Sequence, residues 1–511
     1  MESNKYKRIA KNAGMLYFRM LLTMAVALYT SRVILQTLGV EDFGIYNVVA
    51  GFVIMLGFLN SAMSSATQRF LTFEIGKIGD KDIRGIFSMS LNIHVLIALF
   101  VFLLGETVGL WFVRTQLTIP IDRIIAAQWV FHLSLLSFMV TIISVPYNAL
   151  IIAHEKMKVF AWVSILDVLL KLIIVFVLSW FGFDKLILYG FLSFIVVLII
   201  ALVYRVYCKS NFVESKFRLY WDKNLFEVML SYTGWNLFGN IASVMSGQGV
   251  NILLNIFFGP SVNAARAIAM QVSNALNKFV QSLQVAINPQ IIKSYASQDM
   301  AYMHQLVCYG AKYNFFLLFF LSVPILINTD FVLNMWLGSV PEYTSIFVKL
   351  IIVNIIIDCI SAPLMTAAQA TGKIKLYQSV VGGFLLLNLP LSYLVLSFGS
   401  KPYVVVYVSI IMSILALIAR LIILKKLMFL PVAEYLKEVL GRSIVISSVV
   451  VLLYYWLLVY IFHDFSFWLE SIIISFFVLI AVVLFGFSRF ERNAIFNKIR
   501  VMSERFSHKN I

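Results

Sequence analysis

The sequence predicts an all-α integral membrane protein of about 14 transmembrane helices, arranged as two parallel six-helix repeats followed by two additional C-terminal helices. Three observations carry this reading. Of 511 residues, 61% are hydrophobic and only 13% charged, a balance far more apolar than that of a soluble globular domain. Runs of about 20 apolar residues, enough to cross roughly 30 Å of hydrocarbon as helices, recur along almost the whole chain and leave no room for a soluble catalytic domain. The third observation is a stretch written twice: "SVPYNALIIAHEKMKVF" at 144–160 returns as "SAPLMTAAQATGKIKLY" at 361–377. Ser144, Pro146, Ala153, Lys156 and Lys158 recur as Ser361, Pro363, Ala370, Lys373 and Lys375, an offset of 217.

The spans follow in order from apolar runs bounded by charged, Gly or Pro turns. Span 1 (13–37) stands behind the basic "MESNKYKRIAKN"; its apolar run is long and lacks a small-residue cleavage site, so it is expected to be a retained helix and not a signal peptide. Spans 2 to 6 lie near 44–66, 84–105, 123–152, 159–181 and 186–207, with Pro146 bending the fourth. The basic, partly amphipathic "KSNFVESKFRLYWDKN" (209–224) is the expected surface connector. Spans 7 to 12 lie near 226–257, 263–288, 304–328, 344–369, 374–398 and 402–424, with Pro363 in the tenth where Pro146 stands in the fourth. Spans 13 and 14, near 441–462 and 467–487, have no counterpart in the first half. Gly14 to Gly39 and Gly234 to Gly259 both measure 25 residues, an offset of 220, so the first helices of the halves also match. The expected domains are a six-helix lobe over 1–220, a second over 221–426, and two helices with a basic tail over 427–511.

The formal charge of +16 is topological. With spans alternating across the bilayer, 29 Lys and Arg residues fall on the side of the N-terminus, including Arg69, Lys156, Lys293 and Lys373. Five fall on the other: Arg114, Arg123, Lys185, Arg266 and Lys401. The positive-inside rule makes the first side cytoplasmic, places both termini there, and accounts for the basic chain without a nucleic-acid partner. Cys208, Cys308 and Cys359 have no paired spacing, and His94 and His132 stand alone on different helices, so neither a disulfide framework nor a metal site is expected.

Polar groups inside a membrane are costly unless they face a cavity or a partner. In span 8, Gln271, Asn274, Lys278, Gln281 and Asn288 lie within roughly 100° of one another at 100° per residue, with Asn277 and Gln284 beside them, which makes one face of that helix wet. Span 7 carries Asn236, Asn240, Ser243, Gly247 and Asn251, a set that fits either a wet face or helix-to-helix hydrogen bonding. Arg19 and Arg32 in span 1, Arg266 at the outer end of span 8 and Lys278 together would line a cationic path suited to an anionic substrate. Arg19 and Arg32 are also near enough to the helix ends to snorkel. Asp167 and Lys171 have the i, i+4 spacing of a structural ion pair. Asp358 stands near mid-membrane with no partner evident on its own helix, a candidate for coupling to a proton or sodium ion, though a pair with Lys349 or a neighbouring helix fits as well.

This order of spans, together with "SRVILQTLGVEDFGIYNVV" (31–49), resembles the polysaccharide flippases of the multidrug/oligosaccharidyl-lipid/polysaccharide (MOP) exporter superfamily. The resemblance rests on a Leu-Gly turn followed by an aromatic-Gly-x-Tyr helix start, here Leu38, Gly39, Phe43, Gly44 and Tyr46, and on the proline and lysine marks around the turn after span 4. It covers essentially the whole chain. The resemblance implies MATE-like V-shaped lobes that move a polyprenyl-diphosphate-linked oligosaccharide from the inner to the outer leaflet of a bacterial plasma membrane by alternating access. It implies membrane lipids, glycosyltransferases and a polysaccharide polymerase as surroundings, and no cofactor. On that reading Arg32, Arg266 and Lys278 neutralise the diphosphate, Gln271, Asn274, Asn240 and Asn251 bind sugar hydroxyls, and Arg19 attracts the headgroup at the cytoplasmic entrance. The chain has no G-x-x-x-x-G-K-[ST] stretch, so it is not expected to hydrolyse ATP. A cation-coupled drug antiporter of the same superfamily would need acids in its lumen, where here cations dominate. A membrane polymerase or ligase would need a sizeable external loop, where here the longest lie near 106–122 and 329–343. Glu41 and Asp42 form an external polar turn.

Overall fold

The computed structural model describes residues 2–115, 119–180, 184–218, 220–337, 340–460, 467–488 and 491–492, with the side chains of 2–11 and of some further helix positions, Arg32 among them, outside the description. All regular structure in it is helical. We number the main helices α1 (Glu2–Met55), α2 (Gly57–Gly76), α3 (Ile83–Leu104, extended by a π-turn and a short helix to Thr115), α4 (Ile124–Ala153), α5 (Met157–Trp180), α6 (Lys185–Asn211), α7 (Lys223–Phe258) and α8 (Pro260–Ala296). There follow α9 (Met300–Ile327), the short α10 (Thr329–Leu337), α11 (Thr344–Thr371), α12 (Ile374–Ser397), α13 (Val404–Met428), α14 (Arg442–Tyr460) and α15 (Phe467–Ala481). Among the described residues, 11 helices are long and apolar enough to cross a membrane, and α8 is not one of them. At 36 and 37 residues, α7 and α8 run roughly 55 Å each, so both are much longer than a 30 Å hydrocarbon layer.

Spans 1 and 2 are joined more tightly than the sequence predicts. The chain stays helical through residues 38–44 except at Gly39, whose φ of 80° and ψ of 169° break α1 into two arms. That backbone conformation is open to glycine alone. Gly259, 220 positions on, has φ 79° between α7 and α8, so the two matched glycines make the same kind of break. Glu155 and Gly372, 217 apart, are likewise both left-handed, at φ 56° and 75°. Pro146 and Pro363 both stand inside helices. Because a Cβ on Gly39 would meet no atom within 4 Å, the cost of Gly39→Ala is purely that of the backbone. It is expected to be about 1–3 kcal/mol, read as a lower midpoint of thermal unfolding in detergent.

Packing divides the chain into two compact units: residues 1–244, 285–303 and 368–382 in one, and 245–284, 304–367 and 383–511 in the other. In the first unit α4 is the hub, packing on α1, α2, α3 and α6. One side of it is apolar and buried, through Val130, Phe131, Leu135 and Ile142, while Ser134, Ser137 and Thr141 recur at intervals of three and four on another. Phe70, Phe87, Tyr147 and Leu150 form one core layer, and Val49, Met63, Phe131 and Ile142 another. Phe87 and Tyr147 meet edge to face at 5.2 Å between centroids. The connector after α6 is tied down: the Arg218 guanidinium donates to Asp82 at 2.9 and 3.0 Å, and Arg84 Nε donates to the Lys216 carbonyl at 2.7 Å. Arg123 pairs with Asp42 and, at 2.7 Å, with Asp184, which gives the turn at Asp42 its counter-charge.

In the second unit α9 is bound to α11 by a bond from Asn314 Nδ2 to the Cys359 carbonyl at 3.1 Å. Tyr435, fully buried ahead of α14, donates to the Ile360 carbonyl at 2.9 Å. The last helices are anchored by charge: Lys312 on α9, 2% exposed, places Nζ 2.7 and 2.8 Å from the two carboxylate oxygens of Glu491. The Tyr313 hydroxyl and the Ser488 amide donate to the same carboxylate at 2.8 and 2.7 Å.

Candidate functional site

The wet face of α8 is built by helical spacing. Gln271, Asn274, Lys278 and Gln281 recur at intervals of three and four, and all four side chains are exposed. The buried face carries Ser273, Leu276, Val280 and Ser282, where Ser282 Oγ donates to the Lys278 carbonyl at 3.0 Å. Amides facing hydrocarbon cost several kcal/mol each, so a face of this kind suits water or a ligand better than lipid. Among the described residues Lys278 has no carboxylate partner. The face therefore presents a positive charge flanked by amides that can both donate and accept.

The polar residues of α7 are placed differently. Asn236 is 3% exposed and accepts from Gln378 Nε2 at 3.1 Å, so it joins α7 to α12. Asn240, half-buried, donates to the Phe58 carbonyl at 3.4 Å. Arg266 is 7% exposed and donates to Asn251 Oδ1 and, at 3.3 Å, to the Gly247 carbonyl, while Asn251 also donates to Gln248 at 2.9 Å. Arg266 and Asn251 are thus brought together with each other across the α7–α8 turn.

Within the first unit, Arg19 lies 4.7 Å above the Phe160 ring and donates to Ser164 Oγ at 3.3 Å. Asp167 and Lys171 pair at 2.8 Å. Phe160, Ser164, Asp167 and Lys171 follow one another at intervals of four, three and four, so these contacts form a column along α5. Lys171 opens into a cavity of about 540 Å³ lined also by Thr30, Tyr46, Ser137, Tyr189 and Ser193. The Tyr46 and Tyr189 rings meet edge to face at 4.6 Å. The hydroxyls of Thr30 and Ser137 already donate to carbonyls one turn back, at 2.8 and 2.7 Å, which leaves their oxygens as acceptors. The Arg32 side chain lies outside the described residues.

In the second unit Asp358 has partners that its own helix and its neighbour supply. Asn354 Nδ2, one turn earlier, donates to it at 3.2 Å, Ser413 on α13 hydrogen-bonds it, and Arg420 attracts its charge. Arg420 lies inside α13, eight residues before its end. Lys349 faces Asp330 at 3.9 Å, so the pair with Asp358 does not form. His94 Nδ1 meets the Ser90 carbonyl at 2.7 Å and His132 Nδ1 meets Glu106 at 2.8 Å; no cluster of three or more metal-ligating side chains occurs among the described residues. Sequence reasoning missed the Lys312–Glu491 pair, whose members are 179 positions apart and carry no local signal.

No family model matches this chain, and no curated protein matches it. Solved structures do. The fold is similar to that of a MATE in complex with MaD3S, with a TM-score of 0.70 at 12% identity over 83% of this chain and 97% of the other. It is similar to a MOP superfamily transporter from Pyrococcus furiosus, described by the reverse polarity of its binding pocket, with a TM-score of 0.69 at 12% identity over 83% and 96%. It is also similar to the MATE transporter ClbM in complex with Rb+, with a TM-score of 0.68 at 14% identity over 81% and 94%. At these identities the likeness establishes the fold: a multi-pass, all-helical membrane protein whose structural neighbours are MATE transporters of the MOP superfamily.

Proposed function

We infer that this protein is a flippase that carries a polyprenyl-diphosphate-linked oligosaccharide from the inner to the outer leaflet of a bacterial plasma membrane by alternating access. One observation carries the reading: the exposed face of α8 combines Lys278, a cation with no acid partner among the described residues, with Gln271, Asn274 and Gln281. That chemistry suits a diphosphate followed by hydroxyl-rich sugars, and it repels a cationic drug. The polyprenyl tail never needs to leave hydrocarbon, so only the headgroup requires a wet path. Arg32 and Arg19 extend the cationic lining in this proposal, while Arg266 supports it through Asn251.

The membrane potential can supply direction. With an inside-negative potential, moving about two negative charges outward is downhill and gains roughly 4–5 kcal/mol per 100 mV. Asp358, set between Asn354, Ser413 and Arg420, is the candidate for coupling to H+ or Na+ instead. If it couples, Asp358→Asn is expected to abolish the ion dependence of transport in proteoliposomes; an unchanged ion dependence assigns the driving force elsewhere.

The function itself is tested by the sidedness of the lipid-linked oligosaccharide in cells with and without the protein, using a membrane-impermeant probe of the outer leaflet. Loss of the protein is expected to trap the glycolipid on the cytoplasmic leaflet. Glycolipid that reaches the outer leaflet but stays unpolymerised would instead assign the protein to polymerisation.

A further inference from the structure

Inside the first unit the repeated turns dock on helices of the opposite repeat. The last turn of α11 ends at Gly372, and its carbonyls are taken by α2: Arg69 Nε donates to Gln369 O at 3.2 Å and Nη2 to Ala370 O at 3.1 Å. The Tyr232 hydroxyl donates to Gln369 O as well, at 3.4 Å. A helix leaves these last carbonyls without intrahelical partners, and they carry the negative end of its dipole. The other copy of the turn does the reciprocal thing. Glu155, which stands where Gly372 stands in the second copy, accepts from Lys293 Nζ at 2.6 Å and from Gln290 Nε2, both on α8. Gly76 and Ala296, which end α2 and α8, are 220 positions apart like Gly39 and Gly259, and a Cβ on Gly76 would stand 3.0 Å from Ala296 Cβ and 2.7 Å from Lys293 Cα. A residue packed against its own counterpart lies on the axis that relates the repeats. The two turns are therefore the two symmetry-related halves of one latch, which is why the motif is written twice.

The halves differ in charge. Lys293 is matched by Glu155. Arg69 is 8% exposed and pressed between the rings of Phe70, Phe73 and Tyr232, at 4.8, 4.6 and 5.6 Å, with no carboxylate in reach among the described residues. Helix-end carbonyls offset only about half a charge, and buried ions without a full counter-ion are costly. An acid at this position would lock the latch. A bare guanidinium instead leaves it open to competition from an anion.

We propose that Arg69 is a headgroup ligand as well as a latch residue: in the latched state it caps α11, and in the unlatched state its planar fork binds the phosphates of the arriving substrate. This rests on the flippase reading above. The charge distribution of the sequence puts the latch on the cytoplasmic side, where the substrate arrives. A ligand shifts an equilibrium only by its difference in affinity between the states, and a diphosphate binds Arg69 only where the α11 carbonyls have left it. The guanidinium suits this because it engages phosphate bidentately, which lysine does not. Opening is thereby tied to substrate, and the empty carrier stays latched.

The test uses the full chain in lipid nanodiscs, with Cys208, Cys308 and Cys359 replaced and Ser294→Cys as reporter, since Ser294 is 5% exposed beside the latch. Labelling by a charged maleimide is timed with inorganic diphosphate and with sodium chloride of the same ionic strength. Diphosphate is expected to accelerate labelling about tenfold over chloride. Arg69→Gln is expected to raise the basal rate and remove the response, Arg69→Lys to keep a weaker response, and Glu155→Gln to raise the basal rate with the response intact. Ser297→Cys serves as a second reporter should Ser294→Cys misfold. Equal acceleration by chloride, or an Arg69→Gln protein that responds like its parent, overturns the proposal. The functional reading fails separately: a diphosphate response in a protein whose loss leaves glycolipid sidedness unchanged would uphold the latch and assign it another anionic cargo.

Discussion

Lys278→Ala is expected, on the flippase reading, to reduce translocation of the lipid-linked oligosaccharide by roughly one to two orders of magnitude, because a charge-assisted hydrogen bond to phosphate is worth about 1.5–3 kcal/mol. Its side chain is exposed and holds no ion pair among the described residues, so removal should leave stability within about 0.5 kcal/mol. The protein should therefore accumulate in the membrane at its normal level while the glycolipid remains on the cytoplasmic leaflet. Lys278→Arg keeps the charge and should retain most of the activity. Gln271→Ala or Asn274→Ala removes one neutral sugar contact and should cost about tenfold or less. Full activity of Lys278→Ala would remove α8 from the binding path and with it the main support for an anionic cargo.

The second large effect concerns stability. Lys312→Met is expected to destabilise the protein by about 3–5 kcal/mol, because it leaves the Glu491 carboxylate buried without its cation. Tyr313 and Ser488 still donate to that carboxylate, but neutral donors offset only part of a full charge. Pairing Lys312→Met with Glu491→Leu should recover most of the loss, since removing both partners also removes the desolvation penalty. Thermal unfolding in detergent gives the two midpoints. Protease sensitivity near residue 488 should rise in the single variant and fall back in the double one, because this pair holds the end of the last helix against α9. Arg442 gives the same region a second tie, through Glu438 at 2.8 Å and the carbonyls of Phe485 and Gly486 at 3.2 and 3.3 Å. A single variant as stable as its parent would mean that this tie suffices alone.

The all-helical membrane fold, the matched glycines at 39 and 259 and the periodic polar face of α8 were all legible in the linear chain. Each is a local property. Apolar length decides insertion, and a polar residue at every third or fourth position decides a face whatever lies across from it. The polar residues of α7 show where that logic stops, because Asn236 and Asn251 have the same periodic look but serve Gln378 and Arg266. A buried hydrogen bond and a wet face leave the same pattern in a helix.

Arg69 and Lys293 entered the sequence reading only as charges that set orientation, since the positive-inside rule asks which side a residue is on and not what it touches. Their partners lie far along the chain: Arg69 reaches carbonyls 300 and 301 positions away, and Lys293 reaches Glu155 over 138. Only the packing of α2 and α8 at Gly76 brings those groups within a hydrogen bond. Spans, repeats and a polar helix face thus follow from short-range periodicity and the cost of polar groups in lipid. Which cations are matched, and which stand without an acid, follows from contacts that exist only once the helices are packed.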